Sequence, residues 1–285
     1  MGKIRLYTDS GCDLDIAILK QLQVRLFCLS VTIKDKTYQD RLNINPTEFY
    51  HQIAEPGVIP RTAQIPPAVF EEEFTRVMAE GDDDIIYIAF SSALSGTYQS
   101  ACVARDMVNP GRITVIDSQS ASIGLGLIVV NAAHNIVAGK SKEEVIAGIN
   151  DYISRIQHIF IVGNFEMLKR GGRISTTSAF LGNLLNIKLI AHFIEGKIHP
   201  LEKAHGVKRA KKRMLEIMEE RGYHLAEQVI GISHSNDPEG ALEIKHLIEE
   251  KFGCKEFLIS EIGAVIGAHV GAGTYSIFFL TPPRN

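Results

Sequence analysis

Short runs rich in β-branched and apolar residues alternate along this chain with longer amphipathic segments, the pattern of an α/β protein. The strand-like runs are Ile4–Tyr7, Val24–Leu29, Ile85–Phe90, Ile113–Ile116, His158–Val162, Gln228–Ser233, Phe257–Ser260 and Tyr275–Leu280. Helix starts lie between them. Pro66-Pro67 opens a helix ending near Gly81, and Ser95 is placed to cap one continuing to about Met107. Ser141 with Glu144 forms a capping box, and Pro238 opens a helix reaching Phe252. One segment breaks the alternation: Lys188–Ile194 and Lys197–Lys203 flank Glu195-Gly196 and predict a β-hairpin. The hairpin divides the chain into an N-terminal α/β lobe, residues 1–157, and a C-terminal α/β lobe, residues 158–285, that contains it. No Pro-, Gly- or Ser-rich linker marks the boundary, and no internal repeat is evident.

A chain of 285 residues can bury a substantial core. Its net charge of -3 argues against a broad electrostatic surface for nucleic acid. Cys12, Cys28, Cys102 and Cys254 are scattered without a CxxC pair, which disfavours a disulfide scaffold or a cysteine zinc site. The first residues lack the apolar region of a signal peptide, and the apolar run near Ile123–Val130 is too short to span a bilayer. A soluble, cytoplasmic protein is expected.

Candidate chemistry gathers at a few turns. Thr8-Asp9-Ser10 follows the first strand, either at a ligand-binding sheet edge or as a turn and helix cap. Ser91–Gln99 leaves a buried strand and enters a helix, whose first turn attracts anions. Gly96 lets a ligand approach the backbone, and the Ser95 and Thr97 hydroxyls can donate to oxygen; a pure capping role for Ser95 is the competing reading. In Arg61-Thr62-Ala63-Gln64 the following prolines favour extended backbone, with the Thr62 hydroxyl facing a cleft or water. Gly263, Gly267, Gly271 and Gly273 surround His269, and such a histidine is more often a satisfied structural residue than a ligand contact.

Lys169-Arg170-Gly171-Gly172-Arg173 reads as a basic turn before a helix starting near Ser175, fit for an anion or simply solvated. Lys208, Arg209, Lys211, Lys212 and Arg213 open another helix, partly balanced by Glu216, Glu219 and Glu220. There is no GxxxxGK[ST] phosphate loop, no HExxH and no GxSxG, and the histidines do not cluster at metal-ligand spacing. Gly124-Leu125-Gly126 has Val129 at the third glycine position, against a nicotinamide cofactor.

In order and spacing, Thr8-Asp9-Ser10, Thr62-Ala63-Gln64, Ser92–Ala101, Val115-Ile116-Asp117-Ser118, Leu168–Ser175 and the stretch around His269 resemble the DegV family. Its members are the fatty-acid-binding (FakB-type) subunits of the bacterial fatty acid kinase system, and the resemblance runs from about Lys3 to Leu280. It implies two α/β lobes enclosing a lipid tunnel, with one long-chain fatty acid as ligand, no cofactor, no metal and no catalytic residue. The family's carboxylate-holding hydroxyls are matched by Thr62 and Ser95, with Gly96 and Thr97 beside them; its histidine is matched by His269 and a nearby basic group by Arg170. A partner kinase supplying ATP is implied as well, with Lys208 and Arg209 as docking candidates, and at most transient membrane contact. Departures are Ala63 for a family serine, His205-Gly206 for Arg-Gly, and Lys188-Leu189 for Lys-Pro. Two other readings stand beside this one: a Ser95–His269 nucleophile–base pair acting on a lipid ester, and a carrier of another amphipathic anion such as a retinoid or bile acid.

Overall fold

The structure is a computed structural model that describes residues 3–174 and 186–283. Strand β1 (Ile4–Asp9) leads through α1 (Ile16–Gln21) to β2 (Arg25–Phe27). Next come β3 (Ser30–Ile33), β4 (Lys36–Gln39), α2 (Pro46–Ile53), β5 (Arg61–Ala63) and α3 (Pro67–Glu80). Alternation resumes with β6 (Asp84–Ala89), α4 (Thr97–Val108), β7 (Ile113–Asp117), α5 (Ile123–Val137) and α6 (Lys142–Arg155). The remainder is β8 (Ile156–Ile161), α7 (Phe165–Gly171), β9 (Ile187–Ile194), β10 (Lys197–His205), α8 (Gly206–Arg221), β11 (Val229–His234), α9 (Pro238–Phe252), β12 (Glu256–Glu261), α10 (Ala264–Val270) and β13 (Tyr275–Leu280). The helix expected near Ser175 lies outside the described residues. No helix among the described residues is long and apolar enough to cross a membrane.

These elements make a two-lobed α/β fold. In the first lobe a parallel sheet runs β2-β1-β6-β7, and Ile85 to Ala89 are buried on both of its faces, as parallel sheets require. In the second lobe a mixed sheet runs β10-β9-β8-β13-β11-β12. Its period-two alternation decides which side chains meet what. Ile159, Ile161, Ile277 and Phe279 pack with Met214, Ile217 and Met218 of α8 in one cluster. Phe160 and Phe278 join the other cluster, which reaches through α5 to Leu6 and Ile88 of the first sheet. The two lobes therefore share a core.

The strand expected over Val24–Leu29 is shorter, because neighbouring groups take its backbone bonds: Val24 N–H goes to Leu19 O, and Leu29 N–H to Ser10 Oγ. The hairpin stands where it was expected, and positive φ at both Glu195 and Gly196 gives the tight turn that suits a two-residue connection. Its tip reaches the first lobe, where Ser91 Oγ donates to Gly196 O at 2.8 Å. The expected basic turn is instead the end of α7, with Lys169 and Arg170 in its last turn and Gly172 left-handed beyond it.

A third, antiparallel sheet, β4-β3-β5, was not anticipated. It seats Val31 and Ile33 against Phe49 and Tyr50 of α2 and Ala264 and Ala268 of α10. Through its β3 partner Val31, this sheet fixes Thr62 on β5.

Candidate functional site

Between the lobes lies a cavity of about 370 Å³, within the range of small-molecule sites. Its floor is the inner face of the six-stranded sheet: His158, Phe160, Phe193, Ser276 and Phe278. Leu29, Phe90 and Leu94 close it from the first lobe, and Val265, Ile266 and Val270 from α10. The lining is mostly apolar.

Polar groups converge at one part of it. Thr62, Ser95, Gly96, Arg173 and His269 all line the cavity. Thr62 Oγ1 lies 2.9 Å from His269 Nε2. His269 Nδ1 is buried without a partner and packs against Gly171, where a Cβ would stand only 2.2 Å away. Burial pushes the imidazole down to about 4, and the Arg173 guanidinium adds to this, so His269 is neutral at pH 7. We assign its proton to Nε2, which strands only a lone pair at Nδ1. Nε2–H then donates to Thr62 Oγ1, and the threonine's own hydrogen is free to donate to a ligand.

Ser95 is prepared in a similar way. It lies just outside α4 rather than at the cap, yet its Oγ accepts from Thr97 N–H at 3.3 Å and sits 2.9 Å from Thr97 Oγ1. Thr97 does not line the cavity; it is fully buried and its Oγ1 accepts from Ile65 N–H at 3.4 Å. Its part is to hold Ser95, not to touch a ligand. Gly96 also has a reason beyond ligand approach: a Cβ there would stand 2.0 Å from Gln64 Oε1, and Gln64 Nε2 donates to Ser100 Oγ at 3.1 Å.

Residues 3–282 match a family profile described as uncharacterised proteins of the DegV family. The chain belongs to the DegV family. A DegV domain-containing protein of Clostridium perfringens is 37% identical, covering 98% of both chains. Among solved structures, a DegV family protein from Thermus thermophilus, described for its fatty acid binding, superposes with a TM-score of 0.89 at 34% identity, over 98% of this chain and 100% of that one. DegV of Bacillus subtilis, described as a fatty acid binding protein, gives 0.87 at 29% identity over 99% and 100%.

In this DegV chain the cation beside the cavity is Arg173, not Arg170. Arg173 donates from Nε to Leu94 O (3.3 Å) and from Nη1 to Gly171 O (2.5 Å), leaving other N–H groups for an anion. Arg170 instead lines a second, outer depression of about 440 Å³, together with Arg61. That depression shares Thr62, His269 and Arg173 with the inner cavity, so the polar end can be approached from outside. Lys208 and Arg209 lie exposed on the first turn of α8, which covers the sheet face opposite the cavity.

Two clusters explain how the site is held. Asp9 of the Thr8-Asp9-Ser10 motif is a buried tie: it accepts from Gly11 N–H, Phe90 N–H and Tyr87 Oη, joining the ends of β1 and β6. The second cluster had no sequence signal. Asp40 accepts from Ala264 N–H (2.9 Å) and Val265 N–H (3.2 Å) at the start of α10, while Asp13 accepts from Gly263 N–H (2.8 Å). Arg41 lies between them, 3.1 Å from Asp13 Oδ1 and donating to Glu261 O. The helix that carries His269 is thus anchored by carboxylates from the first lobe.

Proposed function

We propose that this chain binds a long-chain fatty acid, with its tail in the cavity and its carboxylate at Thr62, Ser95, Gly96 and Arg173 beside His269. The observation that carries this reading is the placement of two hydroxyl donors, a neutral imidazole and a guanidinium at one part of an apolar cavity. About fourteen buried methylenes at ~0.8 kcal/mol each supply on the order of 11 kcal/mol, much of it offset by ordering the ligand. A charge-assisted hydrogen bond adds about 1.5–3 kcal/mol, largely offset by stripping water from the carboxylate. The tail therefore sets affinity, and the polar end selects an acid.

The carrier then works with a partner, in the cytoplasm. An ATP-dependent kinase reaches the carboxylate through the outer depression and converts it to an acyl phosphate, and Lys208 and Arg209 contribute to docking. The bonding pattern favours a carrier over an esterase. Ser95 Oγ is engaged with Thr97 and His269 Nε2 with Thr62, and an imidazole pushed down to about 4 is a weak general base.

Freshly purified protein analysed by native mass spectrometry should carry one acid that denaturation releases unmodified. Replacing Thr62 and Ser95 together by Ala should cost about tenfold in the preference for a fatty acid over its alcohol, with alcohol binding nearly unchanged. Equal loss for both ligands, or a covalent acyl adduct, contradicts the assignment. Lys208→Glu with Arg209→Glu should slow acyl-phosphate formation by the kinase without lowering lipid content.

A further inference from the structure

The floor of the cavity is not uniformly greasy. His158, on β8, is 3% exposed, and neither of its ring nitrogens has a hydrogen-bond partner. Phe193 stacks on the ring at 4.4 Å and Phe278 meets it edge-on at 5.3 Å. Its Nε2 edge abuts α5 at Gly124, where a Cβ would lie 2.3 Å from Nε2. Burial pushes this imidazole down to about 3, so it is neutral, with one N–H and one lone pair.

The strand register places further unsatisfied groups next to it. His158 stands opposite Phe278 on β13, and two residues back on the same face is Ser276, which also lines the cavity. Strand positions related in this way are roughly 7–8 Å apart, so the two side chains face the same stretch of a bound tail. No hydrogen bond is made by the Ser276 hydroxyl among the described residues. Opposite Ser276 on β11 is Ser233, whose buried Oγ is also unpartnered. A wholly hydrocarbon tail would leave all of these groups unsatisfied, although buried polar groups are normally hydrogen-bonded.

We propose that His158 and Ser276 form a subsite for an oxygen substituent on the acyl chain, so that the preferred ligand is a hydroxylated fatty acid. A hydroxyl both donates and accepts, matching a neutral imidazole on one side and a serine on the other. This subsite rests on the carrier reading and adds the class of acid to it. Lipid-stripped protein is titrated, in competition with a fluorescent fatty acid, with octadecanoic acid and with positional isomers of hydroxyoctadecanoic acid.

At least one isomer should bind about tenfold tighter than the plain acid, equivalent to about 1.4 kcal/mol. His158→Leu should abolish that preference, so that the isomer and octadecanoic acid bind alike, and Ser276→Ala should lower it partway. The subsite is overturned if no isomer outbinds the plain acid, or if the preference survives in both variants. If His158→Leu fails to fold, Ser276→Ala decides alone. Wild-type protein that binds none of these acids would refute the carrier reading itself and take the subsite with it.

Discussion

Replacing Arg41 by Met should lower the stability of the folded protein by about 3–5 kcal/mol at neutral pH, because it leaves buried carboxylates without their cation. Asp13 is fully buried and Asp40 is 1% exposed, and both cap the start of α10. Burial pushes Asp40 up to about 6 even with the Arg41 charge opposing it, and Asp13 is raised for the same reason. A carboxyl whose folded value lies above its unfolded one gives stability that is complete below about pH 4 and lost as pH rises through the folded value. Without Arg41 both values rise further. The deficit should therefore be full near pH 7 and shrink towards pH 5 as the carboxyls protonate. Urea unfolding at the two pH values measures this. A deficit under about 1 kcal/mol, or one independent of pH, would show that the cluster does not hold the lobes together.

Acid should destabilise the lipid-free protein through its neutral imidazoles, and His158→Leu should remove a large share of that loss. Burial holds His158 down at about 3 and His269 at about 4, whereas an unfolded histidine titrates near 6.5. A lowered folded value gives stability that is complete above about pH 6.5 and lost as pH falls towards the folded value. Near pH 5 each group has lost about 1.5 pK units, or about 2 kcal/mol. Asp9 and Asp40, both raised to about 6 chiefly by burial, act in the opposite direction over part of this range. The comparison of variant with wild type is therefore the clean measurement. The difference in unfolding free energy between pH 7 and pH 5 should be smaller by about 2 kcal/mol in His158→Leu. Identical differences would mean that the ring is hydrated in the folded state.

What could be read from sequence was what local chemistry decides. The strand expected over Tyr275–Leu280 is β13, and the Glu195-Gly196 turn forms as its residues dictate. The three-stranded sheet could not be read this way, because strands of three or four residues carry little periodicity and β3 meets β5 only after a long excursion. Helix α10 was hidden for a related reason. It has only seven residues, and its cap is Asp40, 224 positions earlier in the chain.

The site residues divide along the same line. Thr62, Ser95, Gly96 and His269 line one cavity, and the first and last are hydrogen-bonded. Arg173 follows the left-handed Gly172 that ends α7 and lines the inner cavity, whereas Arg170, in the last helical turn, lines only the outer depression. The glycines mark a turn in the sequence, but not which of the two cations it leaves at the inner cavity. Thr97 likewise shares a motif with Ser95, but helix phase buries it behind its neighbour.

Floor, walls and rim of the cavity come from different sheets and helices that share one buried cluster. Whatever fills it becomes a temporary member of the interior, and emptying it resembles cutting several side chains out of a core. Linkage makes this quantitative: an occupant at a hundred times its dissociation constant raises stability by about 2.7 kcal/mol. The protein with its cavity empty is thus its most perishable form, the one that proteases would clear first.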